Sequence, residues 1–324
     1  MKSYFIGFVL SLSSMSCFAQ QIPSYRMTPY NSNVFTKNDA FSDEFNDTAV
    51  DKKKWRTPYD DSFATWTFVS ENVRQQNGIL QLMMSYDRHT RKRGKKQIDL
   101  YFNSGMLRSI DKVGYGYYEA RVKGSPVWPG TCSAFWMYTI PNESKKMAKQ
   151  APNTIIYNEI DAIELQQEPK SKDILSCNMH VWVFDDNLKT KRLMASQYPQ
   201  LGKNEITIKD WNGEKSFHTY AVENRPDSVV FYIDNKRVAA KPNYFWHKDM
   251  HLILSLGLRT PFEKYANGAR MTVPTTQEQA ASSGFPCTME VDYIRSWTRD
   301  YSKFPSSQID YSDDVIQKIT RNNQ

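Results

Sequence analysis

Short β-prone runs recur between turn signals along this 324-residue chain, and amphipathic helical stretches are scarce. Ile79-Leu80-Gln81-Leu82-Met83-Met84 follows an Asn77-Gly78 turn. Ser228 to Ile233 and Lys236 to Ala239 flank Asp234-Asn235, and two turn-formers between such runs signal a tight hairpin. Tyr115 to Val122, His251 to Gly257 and Thr288 to Trp297 read as further strands. With no alternation of strands and helices, the chain must close into an all-β sandwich or barrel. A hydrophobic content of 40% supplies a core for it.

One strand-like run carries an unusual load. Tyr157-Asn158-Glu159-Ile160-Asp161-Ala162-Ile163-Glu164-Leu165 places three carboxylates within six residues. Side chains alternate between faces in a strand, so Glu159 and Asp161 point the same way. Glu164 falls on the opposite face unless one extra residue is accommodated, and a β-bulge at Ala162 and Ile163 would bring it back. Crowded carboxylates raise at least one pKa, giving an ionised carboxylate beside a neutral acid. Retaining glycoside hydrolysis needs such a pair, roughly 5–5.5 Å apart. In that reading Glu159 is the nucleophile, Glu164 the general acid and then base, and Asp161 tunes Glu159. An exposed acidic strand edge or a calcium site would use the same residues, and spacing alone leaves both open.

The order Glu-Ile-Asp-x-Ile-Glu resembles the active-site signature of glycoside hydrolase family 16, in the bulged form of agarases, porphyranases, carrageenases and laminarinases. Other landmarks stand in the family's order: Phe41-Ser42-Asp43-Glu44-Phe45-Asn46, Gly116 to Lys123, Ser133-Ala134-Phe135-Trp136-Met137, Phe217 to Glu223, and Met289 to Arg295. The resemblance implies a curved β-jelly-roll sandwich, concanavalin-A-like, with a concave substrate cleft. It implies a catalytic domain over residues 41–300, preceded by an arm (20–40) and followed by a tail (301–324). Residues 262–286 read as a polar stretch long enough to be a functional loop.

Residues 1–19 read as a secretory signal: Lys2, an apolar run from Tyr4 to Leu12, and a Cys17-Phe18-Ala19 cleavage site. The expected location is secreted or periplasmic; a lipoprotein anchored through Cys17 is the weaker alternative. No segment is long enough to span a bilayer as a helix. After cleavage Cys132, Cys177 and Cys287 remain, which allow one internal disulfide and leave one thiol over. The formal net charge is +7, and its densest run is Arg88 to Lys96. That run is a solvated hairpin loop or a polyanion patch. No nucleic-acid fold signature accompanies it, so nucleic acid is not expected as a partner.

A polysaccharide cleft needs aromatic platforms for the C–H faces of sugars. Trp136, in the family's Ser-Ala-Phe-Trp pattern, is the expected floor, with Trp128 and Trp66 next. Trp211, Trp246 and Trp297 are assigned to the core or outer surface. His180 is placed beside the acids by resemblance to related galactanases, whereas His218 is expected to be structural. Arg74, Arg259 and Glu278 are candidates for recognising hydroxyl or sulfate groups, since Arg presents a planar fork of donors. The resemblance implies a monomeric retaining endo-hydrolase of a red-algal galactan, sulfated or neutral, with porphyran first and agarose second. A laminarinase-type endo-β-1,3-glucanase and a non-catalytic polysaccharide-binding sandwich are the alternatives. The chemistry requires no cofactor and no metal; a structural calcium is common in the family.

Overall fold

The structure, a computed structural model, describes residues 34–57, 64–140, 145–146, 149–166, 171–193, 201 and 205–304. The expected signal segment 1–19 with Cys17, most of segment 20–40 and most of segment 301–324 therefore lie outside the described residues. Two large, mainly antiparallel sheets face one another. One has 10 strands and includes, across its width, Ser228–Ile233, His218–Asn224, Gly116–Lys123, Cys287–Thr298, Ile79–Arg93 and Lys96–Ser104. The other has 8 strands; seven run in the order Thr190–Leu193, Ile174–Phe184, Ile155–Leu165, Thr131–Tyr138, His251–Leu258, Met106–Ser109 and Trp55–Arg56, and the eighth, Glu205–Thr207, pairs with Ile174–Phe184. This is the all-β jelly-roll sandwich expected from the sequence.

Alternation along the strands builds the core. Leu80, Leu82 and Met84 are buried at every second position of Ile79–Arg93. Leu252, Leu254 and Leu256 do the same opposite them, with Phe135, Met137, Ile160 and Ile163 from the neighbouring strands. Each fully buried Leu, Ile or Phe contributes roughly 1.5–3 kcal/mol from area removed from water. The turns follow from residue type. Asn77 and Gly78 adopt φ of 54° and 74°, and Asp234 and Asn235 adopt 47° and 63°. Both pairs meet the positive-φ requirement of two-residue hairpins with residues that tolerate it.

Two of the sequence landmarks meet in space. Arg295 donates from Nε and Nη2 to the two Glu44 carboxylate oxygens at 2.8 and 2.7 Å, clamping Phe41–Asn46 against the strand Cys287–Thr298. The polar stretch 262–286 is not one long loop. It holds a small hairpin, Glu263–Ala266 with Ala269–Thr272, and a short helix, Gln277–Ser282. Thr276 and Gln279 form a capping box that starts this helix. All three cysteines of the described chain are buried and free.

Candidate active site

The strand Ile155–Leu165 lies at the middle of the 8-stranded sheet, and its register settles which side chains share a face. Against Thr131–Tyr138, Glu159 pairs with Tyr138, Asp161 with Trp136 and Glu164 with Ala134. Against Ile174–Phe184, the same acids pair with His180, Asn178 and Ser176. Both partner series step by two, so all three acids occupy one face. They do so because the register shifts between Asp161 and Glu164, where the acid strand carries one residue more than its neighbours. Ile160, Ile163 and Leu165 pack toward the core behind them. Asn158, immediately before Glu159, is fully buried on that opposite face and cannot touch a sugar directly.

Each carboxylate has its own surroundings. Glu159 receives the Tyr157 hydroxyl at Oε2, and His180 Nε2 stands 3.3 Å from its Oε1. The same His180 nitrogen is 3.4 Å from Asp161 Oδ2. Arg192 donates to His180 Nδ1, which therefore accepts; in the neutral ring Nε2 then carries the hydrogen and presents it to the acids. Burial lowers the His180 pKa, which keeps the ring neutral. Asp161 is almost fully buried, and burial followed by the nearby Glu164 charge pushes its carboxyl well up. Glu164 accepts from Arg259 Nη2 at 2.9 Å, in an ion pair whose side chains are 10% and 13% exposed. An acid that must deliver a proton is poorly served by a guanidinium in that position. Arg259 Nη1 also donates to the Leu258 carbonyl at 2.8 Å.

Burial, then Asp161, pushes the Glu159 carboxyl up to about 7, against the pull of His180 and the Tyr157 hydrogen bond. The unfolded chain holds it at the ordinary 4.5, so the folded protein binds the extra proton between these values. The stability contributed by this group is complete below about pH 4.5 and lost as pH rises through about 7. Melting temperatures from pH 4 to 8 should therefore fall more for the wild type than for Glu159→Gln. The gap between the two corresponds to about 3 kcal/mol, at about 1.4 kcal/mol per pKa unit. Parallel curves would show that Glu159 titrates normally.

The aromatic and polar candidates fall into two groups. Trp136 is half-buried on the face of the acids, its Nε1 donating to Ser255 Oγ at 3.0 Å and its ring 4.8 Å from that of Tyr138. Trp66 is buried on the same side of the molecule. A Cβ placed on Gly257 would lie 3.5 Å from the Trp66 ring and 3.0 Å from Arg259 Nη1, so these two line one wall. Trp128 is half-buried, with Lys172 Nζ 5.8 Å from the centre of its ring. Arg74 and Glu278 are elsewhere. Arg74 is exposed on Val73–Gln76, an added strand of the 10-stranded sheet, and Glu278 is exposed on the short helix that packs against Ile79–Arg93. Arg74 thus stands on the sheet that does not carry the acids, and Glu278 on a helix rather than on either sheet.

Sequence reasoning passed over three contributors. Tyr157 is two residues before Glu159, so alternation alone already turns it toward the acids. Trp246, assigned to the core, is fully buried, and its indole N–H is shared by the carbonyls of Glu159 and His180, both at 2.9 Å. Arg192 fixes His180 from the edge strand, which no local pattern announces. His218 is held by Asp234 and Asn212, each at 2.8 Å, on the other sheet.

Glu159, Asp161 and His180 cluster closely enough to hold a metal, but one donor is a protonated ring nitrogen, and calcium takes oxygen ligands. A second acidic recess is lined by Asp43 and Glu44, but these already serve Trp55, Phe45 and Arg295, and Lys37 and Lys54 line it too.

Comparison with known proteins agrees with this geometry. Residues 35–299 match the family model described as beta-porphyranase A-D, GH16 domain. A kappa-carrageenase of Pseudoalteromonas carrageenovora is 33% identical over 265 residues, covering 80% of this chain and 63% of the relative. The chain thus spans less than two thirds of that relative's length. Beta-porphyranase E of Zobellia galactanivorans is 27% identical over 299 residues, covering 85% of this chain and 90% of the relative. A crystal structure of the P. carrageenovora kappa-carrageenase in complex with a kappa-carrageenan oligotetrasaccharide superimposes with a TM-score of 0.75. It is 30% identical and covers 85% of this chain and all of that one. With the three acids in bulged register and the family model matched from strand to strand, this chain belongs to glycoside hydrolase family 16.

Proposed function

We propose that the protein is a retaining endo-hydrolase of β-galactosidic bonds in red-algal galactans, with a sulfated chain as substrate. The observation that carries the reading is the single face shared by Glu159, Asp161 and Glu164. In this mechanism Glu159, oriented by Tyr157 and His180, attacks the anomeric carbon. Glu164 gives its proton to the leaving oxygen, and the electron pair of the broken bond goes with that oxygen. Glu164 then takes a proton from water, which displaces Glu159 and frees the sugar. A non-catalytic binding sandwich gives no reason to bury three acids together.

Substrate choice shifts from the order expected of the sequence. Kappa-carrageenan moves ahead of porphyran, and agarose falls to third. The likeness to the kappa-carrageenase supports this, as does Arg259. The guanidinium beside the general acid has donors beyond those given to Glu164 and the Leu258 carbonyl, and a sulfate group on the adjoining sugar matches its fork. Asn158, immediately before Glu159, faces the core and supplies no contact that would favour one galactan over another. Export through residues 1–19 belongs to the same proposal, since the polymer is extracellular.

Reducing-end release from kappa-carrageenan, porphyran, agarose and laminarin tests it. Cleavage of a sulfated galactan, at least tenfold faster than of agarose or laminarin, is the expected result. Preferential cleavage of laminarin would move the enzyme to the β-1,3-glucanases. Binding without any cleavage would restore the lectin-like alternative.

A further inference from the structure

Residues 243–250 carry the chain from one sheet to the other, between the strands Lys236–Pro242 and His251–Leu258. Trp246 lies in this crossing and is fully buried. Its backbone is tied down at both polar groups. The Trp246 N–H donates to Asn243 Oδ1 at 2.8 Å, and the Trp246 carbonyl accepts from Asn224 and Asn243, each at 3.2 Å. Asn243 also donates to Asn224 Oδ1 at 3.0 Å, and both asparagines are fully buried. Asn224 ends His218–Asn224, so the 10-stranded sheet holds the root of the Trp246 side chain. The indole reaches from there to the sheet that carries the acids.

Its tip meets one cross-strand pair. Glu159 and His180 face each other on adjacent strands, and the single indole N–H is shared between their carbonyls, 2.9 Å from each. One acceptor would satisfy a buried indole N–H. Two, on facing residues, tie the backbones of the nucleophile and its histidine to one rigid ring. Their side chains meet on the cleft face, where His180 Nε2 is 3.3 Å from Glu159 Oε1. Arg192 fixes the imidazole from its other nitrogen, so that spacing follows the separation of the two backbones.

We propose that Trp246 is a positioning residue whose indole N–H sets the separation of Glu159 and His180 for the glycosidic step. It touches no substrate, and the proposal rests on the reading of Glu159 as the nucleophile of a galactan hydrolase. Misplacing a reacting group by about 1 Å can cost about a hundredfold in rate. Glu159 is faced by Tyr157, Asp161 and Glu164 from its own strand, by His180 from one neighbour and by Tyr138 from the other. Arg192 and Arg270 act in turn on His180. His180 and Tyr157 favour the ionised Glu159, and of these only His180 hangs from the strand that Trp246 ties to the acids. If His180 drifts away, the Glu159 midpoint rises from about 7.

Two variants of the full chain test this. Trp246→Phe removes the N–H and part of the ring; Trp246→benzothienylalanine keeps the bicyclic shape and replaces only the N–H with sulfur. Both should lower kcat on the cleaved galactan about tenfold and leave KM within about twofold. Both should also move the acidic limb of kcat/KM up by about half a pH unit. Titration of the His180 ring signals, by NMR of nitrogen-15-labelled histidine, reads the same midpoint without substrate. A chain that cleaves no galactan therefore sinks the enzyme reading and leaves this measurement standing. An unmoved midpoint in both variants overturns the proposal, even if the melting temperature falls. A benzothienylalanine variant with wild-type kcat overturns it too, since packing alone would then be the role of Trp246.

Discussion

Replacing Glu159 by glutamine is expected to lower kcat on the cleaved galactan by about ten-thousand-fold, the order seen when a covalent nucleophile is removed. Glutamine keeps the volume and the Tyr157 contact, so folding and polymer binding should survive. The first products of the wild type should carry the β configuration of the bond that was cut, as followed by proton NMR before mutarotation. Glu164→Gln should differ in kind. Its loss should be large on polymer and much smaller on an aryl glycoside, whose leaving group needs no proton. Inverted products, or a Glu159→Gln protein keeping a tenth of its activity, would remove Glu159 from the nucleophile's role. In the wild type the ionisation of Glu159 near pH 7 should also set the acidic limb of kcat/KM.

The second large effect concerns Arg259. Arg259→Met leaves Glu164 buried with its countercharge gone, and breaking such a pair from one side costs about 3–5 kcal/mol. For a chain of this size that lowers the melting temperature by about 5–15 °C. Activity on a sulfated galactan should fall at least a hundredfold, because both the sulfate contact and the poise of Glu164 are lost. Adding Glu164→Gln should recover part of the stability and none of the activity. The double-mutant cycle should give a coupling above about 1 kcal/mol. Additive losses across the cycle, or an active Arg259→Met enzyme, would show that the two side chains are neighbours without energetic consequence.

What the sequence disclosed was local. The period-two burial of Leu80, Leu82 and Met84 and the two-residue turns announce themselves within a few positions. So does the bulge, because five residues separate Glu159 from Glu164 and strict alternation would split them. The Arg259–Glu164 pair spans 95 residues and depends on how two strands sit on either side of Thr131–Tyr138. No spacing rule reaches that far. Arg74 shows the reverse failure: polar residues suited to sugar recognition occur on both sheets, and composition cannot say which sheet such a residue joins. Trp246 was beyond local reading because its value lies in what it abuts, two carbonyls on adjacent strands.

The bulge has a consequence for how this segment can change. Parity governs a strand: losing one residue between Glu159 and Asp161, or adding one, sends part of the trio to the wrong side. Between Asp161 and Glu164 the rule is relaxed, because the surplus residue there already stands outside the ladder. A deletion at Ala162 would straighten the strand and still leave every acid facing the sugar. Length variation in this catalytic segment therefore has one permissive point, and enzymes with and without the kink can descend from one another through a single codon.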